Sequence, residues 1–229
     1  MNPSIASLCI AQQADFHPVV QVTGKLVRFD ASAANLDLTP SLLKDTAAFS
    51  AYMDQFRTNA GAEFAIGGYN EDRVLYRRSE LFGTEEARTI HLGIDIWGPA
   101  GTPVYAPLGG MVHSFAFNDH FGDYGATIIL LHQLEGIAFH TLYGHLSLTD
   151  LQGIQEGDYI NRGEIFGHFG MPHENGDWPP HLHFQLIDDL RLREGDFPGV
   201  CSHAERTFYL NNCPDPDCIL GLMHQAYAH

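Results

Sequence analysis

Two short motifs, His91-Leu-Gly-Ile-Asp95 and His181-Leu-His183, carry imidazole and carboxylate groups about ninety residues apart, each inside an apolar, strand-like run. Two histidine nitrogens and one carboxylate oxygen form the donor set that suits a catalytic zinc ion with an open fourth position. Another histidine, in Tyr143-Gly-His145-Leu-Ser147, falls between the two halves.

The spacing restricts the backbone that could bring these groups together. In a flat strand His91 and Asp95 share a face but lie roughly 13 Å apart, too far for one metal. A helix would bring positions i and i+4 together, but Gly93 and the Ile94-Asp95-Ile96 run argue against helix. A kinked or bulged strand remains, and Gly93 is the residue that permits it. In His181-Leu182-His183 strand alternation sets both imidazoles on one face, about 6.6 Å apart at the backbone. One ring could then bind the metal while the other faces its water. Pro179 and Pro180 cannot continue a ladder, so this strand should begin near His181.

Ten of the 14 histidines lie between positions 91 and 183, which makes chance pairings possible. His113 and His132 read as strand-end residues, and His120, His140 and His168 have no partner pattern. The two motifs differ from these because both sit in the right local structure.

Several further motifs occur in order: Gly101-Thr-Pro-Val-Tyr-Ala-Pro107, Gly109-Gly-Met-Val112, Gly125-Ala-Thr-Ile-Ile129, Leu142-Tyr-Gly-His-Leu-Ser147, Glu156-Gly-Asp-Tyr-Ile160 and His181-Leu-His-Phe184. With them, the stretch from about Gly67 to Asp188 resembles the lysostaphin-type zinc metallopeptidases. The resemblance implies one zinc per chain held by His91, Asp95 and His183, with His145 and His181 as a catalytic pair that does not bind the metal. It also implies an antiparallel β-sheet carrying the site in a groove, and hydrolysis of a peptide bond in a peptide or peptidoglycan-like substrate. Such a zinc ion brings the pKa of its bound water to near 7. A neutral imidazole is suited to taking that proton, and a second to stabilising the oxyanion. His181 is the expected base and His145 the expected oxyanion donor.

One loop and one strand residue next to the motifs are expected to line the substrate groove. The stretch His173-Glu-Asn-Gly-Asp-Trp-Pro-Pro180 is polar with one large aromatic, and Trp178 and His173 are candidate substrate contacts. Tyr143, two residues from His145 on a strand, should share its face and is the third candidate.

Composition limits the alternatives. At 229 residues and 45% hydrophobic, the chain can bury one good core plus an appended segment. A formal charge of −16 argues against nucleic acid or an anionic membrane surface as partner. Lys25 and Lys44 are the only lysines, which excludes Schiff-base chemistry in the catalytic region and removes the lysine that a lipoyl or biotinyl carrier hairpin needs. A catalytically idle, metal-bearing scaffold or regulatory module is the alternative to an enzyme, but all five site residues are present. The first ten residues lack a basic region and a long apolar run, so the expected location is cytoplasmic, or extracytoplasmic if a leader was already removed. In a cytosolic protein the four cysteines would be free thiols.

The expected architecture is α+β and mainly β. Residues 1–65 form an N-terminal segment with one helix, 66–190 a metallopeptidase domain, and 191–229 an irregular C-terminal tail. Thr39 and Pro40 open the helix, which should run through Arg57 and end at Gly61. β-Branched and aromatic runs punctuated by glycines read as the sheet.

Overall fold

Local capping and strand alternation account for most of the elements. The structure, a computed structural model, describes residues 3–78 and 87–227. Helix α1 (Ile5–Ala11) starts at Ser4, whose hydroxyl accepts from the Ser7 amide. Strand β1 (Leu26–Phe29) follows. The expected helix after Thr39 is split into α2 (Pro40–Lys44) and α3 (Thr46–Ala60). Asp45 makes the break: its backbone is extended, and its carboxylate accepts from the Ala48 amide at 3.0 Å, capping a new helix. Gly61 closes α3 in the left-handed conformation that glycine tolerates.

Strands β2 (Phe64–Gly67), β3 (Ile90–His91), β4 (Ile94–Trp97), β5 (Pro103–Tyr105), β6 (Gly110–Asn118), β7 (Gly125–Leu134) and β8 (Ile137–Leu146) come next. They are followed by β9 (Tyr159–Ile160), β10 (Ile165–His168), β11 (His181–Ile187) and β12 (Val200–Cys201). Helices α4 (Arg206–Asn212) and α5 (Asp217–Leu220) give the C-terminal stretch more regular structure than an irregular wrap.

Eight strands form one sheet in the order β1-β2-β4-β11-β8-β7-β6-β9. All neighbours are antiparallel except β1 and β2, which run parallel because α2 and α3 cross over between them. The N-terminal segment therefore extends the main sheet. Two small antiparallel pairs, β5–β10 and β3–β12, flank it.

The period of two sorts side chains between the faces. Ile94 and Ile96 of β4, with Leu182, Phe184 and Leu186 of β11, enter the largest apolar cluster. Asp95 and Trp97, with His181, His183 and Gln185, point to the other face. There Trp97 joins a second cluster with Phe29 of β1 and with Phe49 and Met53 of α3. A third, built around Leu92, Tyr124, Leu142 and Phe197, lies further along. The polar cluster thus sits between two patches of packed core. No helix among the described residues is long and apolar enough to cross a membrane.

Candidate active site

Strand β11 begins at His181, directly after Pro179 and Pro180, and is antiparallel to β4. Their register sets His183 opposite Asp95 and His181 opposite Trp97. His91 comes from β3, which leaves the line of β4 at Leu92-Gly93 and pairs with β12 instead. This is the kink required to bring positions i and i+4 together. Gly93 also provides clearance: a Cβ there would lie 2.6 Å from Cε1 of His183 and 2.7 Å from the Phe184 carbonyl oxygen.

Three donor atoms converge as a result. His91 Nε2 is 3.0 Å from His183 Nδ1 and 3.3 Å from Asp95 Oδ1, and His183 Nδ1 is 3.0 Å from Asp95 Oδ1. The remaining polar atoms of each residue are occupied elsewhere. His91 Nδ1 donates to the Gly68 carbonyl at 3.1 Å, leaving the Nε2 lone pair directed inward. His183 Nε2 donates to Gln185 Oε1 at 2.9 Å, leaving the Nδ1 lone pair directed inward. The Gln185 amide is itself fixed, because its NH2 donates to the Pro198 carbonyl at 3.1 Å. Asp95 Oδ2 pairs with Arg73, whose Nε meets Glu71 at 2.8 Å and whose side chain is fully buried. Outer partners of this kind set ligand orientation and tautomer at metal sites.

Charge reinforces the arrangement. Burial pushes the Asp95 carboxyl up, but the adjacent Arg73 guanidinium outweighs that effect and holds it well below the usual range, so it is a carboxylate. Burial, helped by the Arg73 charge, brings His91 down to about 3 and keeps its ring neutral. Three lone pairs within 3.0–3.3 Å repel one another unless a cation lies between them. A tetrahedral ion with bonds of about 2.0–2.2 Å would separate its ligands by roughly 3.3–3.6 Å. The donor set fits such an ion with small adjustment, and among the described residues it is the only group of three metal-binding side chains brought together in this way.

His145 and His181 lie over this triangle with their rings stacked, centroids 4.0 Å apart. His145 Nδ1 donates to the Asn175 carbonyl at 2.8 Å and His181 Nδ1 to the Pro179 carbonyl at 2.7 Å. Both Nε2 atoms are thereby left as acceptors. Burial brings His181 down to about 4, and burial together with His181 holds His145 well below its ordinary value. Both rings are neutral bases as they stand.

His145 reaches this position through an irregularity. The β7–β8 register shifts between Ala126 and Ile128, and His145 has φ +63°, rare for a residue with a side chain. Its amide donates to the Tyr124 carbonyl at 2.8 Å, and its own carbonyl accepts from Gly170 at 2.9 Å. The bulge turns His145 away from the face that alternation would assign it. This corrects the expectation for Tyr143, which does not share that face. Tyr143 is fully buried in the largest core cluster, its ring against Phe166 and Phe184 and its hydroxyl 2.9 Å from Thr141 Oγ1.

A cavity of about 350 Å³ opens above the triangle, lined by Asp95, His145, His181 and His183. Trp178 lines it as well, with its ring 6.1 Å from that of His145 and 6.2 Å from that of His181. It is 4% exposed and its Nε1 donates to the Asp123 carbonyl at 3.2 Å, so it is a packed wall more than a free contact. His173 is exposed on the short turn Pro172–Glu174 and is not among the lining residues. Its neighbour Glu174 binds the Leu148 and Met171 amides, so this part of the loop shapes the backbone and does not enter the cavity.

Peptidase family M23 matches residues 89–193, a span that holds all five of these residues. Residues 89–193 form an M23 peptidase domain. The DD-carboxypeptidase/endopeptidase Mpg of Neisseria meningitidis is 33% identical over 126 residues, 52% of this chain and 26% of its own length. An L-Ala–D-Glu endopeptidase of Bacillus subtilis is 30% identical over 115 residues, 48% of this chain and 33% of its own length. The chain thus spans about a quarter to a third of the curated relatives it matches. Among solved structures, the catalytic domain of lysostaphin from Staphylococcus simulans is 25% identical, covering 68% of this chain and 96% of that one, with a TM-score of 0.42.

The cavity of the M23 domain also has walls from outside the matched span. Leu75 and Tyr76 form one part, and Phe197 to Val200 with Tyr209 another. Four residues with site roles escaped the reading of the sequence. Arg73 and Asn175 carry no local signal, since a buried arginine and a loop asparagine look like surface residues in one sequence. Gln185 could have been found, because alternation from His183 gives it the same face. Tyr124 lies 3.4 Å through its hydroxyl from His183 Nε2, a contact set by long-range folding.

Proposed function

We propose that the M23 domain is a zinc-dependent metalloendopeptidase, with one zinc per chain held by His91 Nε2, Asp95 Oδ1 and His183 Nδ1. The observation that carries this reading is the convergence of three inward lone pairs whose outer atoms are all engaged. Zinc, when bound there, would supply Lewis acidity beside two neutral imidazoles.

The chain's own residues supply the rest of the mechanism. His145 and His181 each present a neutral Nε2 to the cavity. One accepts the proton lost as the nucleophile forms. The other donates to the developing oxyanion once it carries a proton. We assign the base to His181 and the oxyanion donor to His145. Their stacking at 4.0 Å disfavours charge on both rings at once, so the two tasks fall to a pair that carries a single proton. Trp178 excludes water from one side of this pair.

The relatives are endopeptidases, one named for an L-Ala–D-Glu bond. We therefore take peptides of the peptidoglycan type as the first substrates to test. The experiment is metal analysis of the purified chain and of Asp95→Ala, followed by mass-spectrometric cleavage screens on wall-derived and ordinary L-peptides. Stoichiometric zinc with cleavage that Asp95→Ala abolishes supports the proposal. Zinc with no cleavage of any peptide returns the chain to the class of idle scaffolds. Absence of zinc from protein prepared with zinc present rejects the site.

A further inference from the structure

On the sheet face away from the cavity, helix α1 packs against α5 and so ties the two ends of the described chain together. Cys9 of α1 is fully buried and Cys218 of α5 is 7% exposed, and both belong to the cluster that contains Ile5 and Ile219. One turn beyond Cys9, the side chain of Gln13 fastens the two segments. Its Nε2 donates to the carbonyls of Asp217 at 2.7 Å and Cys218 at 3.1 Å. All four cysteines are free thiols in the structure.

Apolar packing alone would accept alanine or valine at both places. It does not require cysteines in one cluster on two packed helices that are more than two hundred residues apart in sequence, with Gln13, one turn from Cys9, bonded to the Cys218 carbonyl. The thiols are also electrostatically unequal. Their mutual interaction draws the Cys9 thiol below its ordinary value and, together with burial, pushes Cys218 up. Cys9 is the readier thiolate of the two.

We propose that Cys9 and Cys218 are a modification site, a dithiol that a low-molecular-weight disulfide such as oxidised glutathione converts to a disulfide bond joining α1 to α5. Cys9, as thiolate, attacks one sulfur of the reagent, forming a mixed disulfide and releasing one glutathione thiolate. Cys218, as thiolate, then attacks the Cys9 sulfur and releases the second. The two protein thiols are oxidised by two electrons, the reagent's disulfide is reduced, and the two thiol protons end on the two released glutathiones. Access comes from local opening of α1, which has only seven residues. The bond closes a loop that spans nearly the whole chain, so it restricts the unfolded state strongly. Because the pair lies on the far face of the sheet, this inference does not depend on the proposed hydrolysis.

The test uses the full chain, equilibrated with oxidised glutathione, then denatured, alkylated and peptide-mapped. The expected result is a cross-linked peptide joining Cys9 to Cys218, with Cys201 and Cys213 alkylated. The melting temperature should rise by several degrees over the reduced protein, a rise absent from Cys9→Ala and Cys218→Ser. Zinc content should not change. Alkylation or simple glutathionylation of both Cys9 and Cys218 at every ratio of reagent would overturn the proposal, as would Cys9 joined to any other cysteine. If a variant fails to fold, the map of the unaltered chain decides the matter by itself.

Discussion

His183 lies directly opposite Asp95 on the β4–β11 ladder, and Nδ1 of the first is 3.0 Å from Oδ1 of the second. Two of the three donors are thus placed by strand register. A slip of one residue along β11 would set Leu182 or Phe184 against Asp95 and turn both imidazoles into the core. The apolar residues that alternate with the ligands prevent that slip. The same pattern that buries Leu182, Phe184 and Leu186 therefore fixes the donors on the other face.

The tautomer of His183 depends on Gln185. Replacing Gln185 by leucine removes the acceptor for His183 Nε2 and leaves the half-buried Pro198 carbonyl without its amide partner. Zinc affinity should fall by about 10–100-fold, the usual cost of losing an outer partner of a ligating histidine. Stability of the metal-free protein should drop by roughly 1–3 kcal/mol. Competition with a chromogenic chelator measures the first and denaturant unfolding the second. Unchanged zinc affinity would mean that Gln185 does not orient the ring.

His145 and His181 should behave differently from the three donors. Alanine at either position should leave zinc in place and lower turnover by roughly two to four orders of magnitude, as loss of a general base or oxyanion donor does. Their Nδ1 atoms are bound to backbone carbonyls, so the rings are held independently of the metal. Loss of zinc from either variant would mean that the division of roles among the four histidines is wrong.

Much of this site can be read from residue order, and the remainder fails for identifiable reasons. His181 and His183 share a face by strand periodicity alone, and the His91–Asp95 spacing demands a kink that Gly93 allows. The face of His145 cannot be read in this way. Periodicity paired it with Tyr143, but one bulged residue with φ +63° reversed it, and histidine gives no sign that it will adopt that backbone. The split of the expected helix at Asp45 is similar, since aspartate caps a helix as readily as it sits on one. The joining of β1 to β2, and of both to the catalytic sheet, depends on pairing across more than thirty residues. Short runs such as Leu26-Val-Arg-Phe29 do not specify their partners.

Gly93 gives a prediction that touches no donor atom. Gly93→Ala would place a Cβ 2.6–2.7 Å from the His183 ring and the Phe184 carbonyl, closer than real Cβ atoms come to any neighbour. Either β3 moves away from β11 or the His183 ring rotates, and both open the triangle of donors. Zinc retention should therefore fall sharply although His91, Asp95 and His183 are intact. Full retention of zinc with an unchanged melting temperature would show that the β3–β11 approach is soft and that Gly93 is not needed for clearance.

His132 predicts an acid limb of stability unconnected with the metal. Its ring is buried, with Nδ1 3.1 Å from the Gly109 carbonyl and Nε2 2.7 Å from Thr141 Oγ1. Burial brings it down to about 4, only partly opposed by the Gly109 contact. In the unfolded chain an ordinary histidine titrates near 6.5. Between these values the unfolded state takes up a proton and the folded state does not, so acid favours unfolding. The contribution of His132 is therefore complete above about pH 6.5 and is lost as pH falls toward 4, at no more than about 1.4 kcal/mol per pH unit and roughly 3 kcal/mol in all. His132→Gln keeps polar groups in the same place but cannot titrate. In metal-free protein, its unfolding free energy should fall less steeply than that of the unaltered chain between about pH 6 and 4.5. Comparing slopes cancels the other buried histidines, which are common to both proteins, and any fixed cost of the substitution. Parallel slopes would show that His132 takes up its proton equally in the folded and unfolded states.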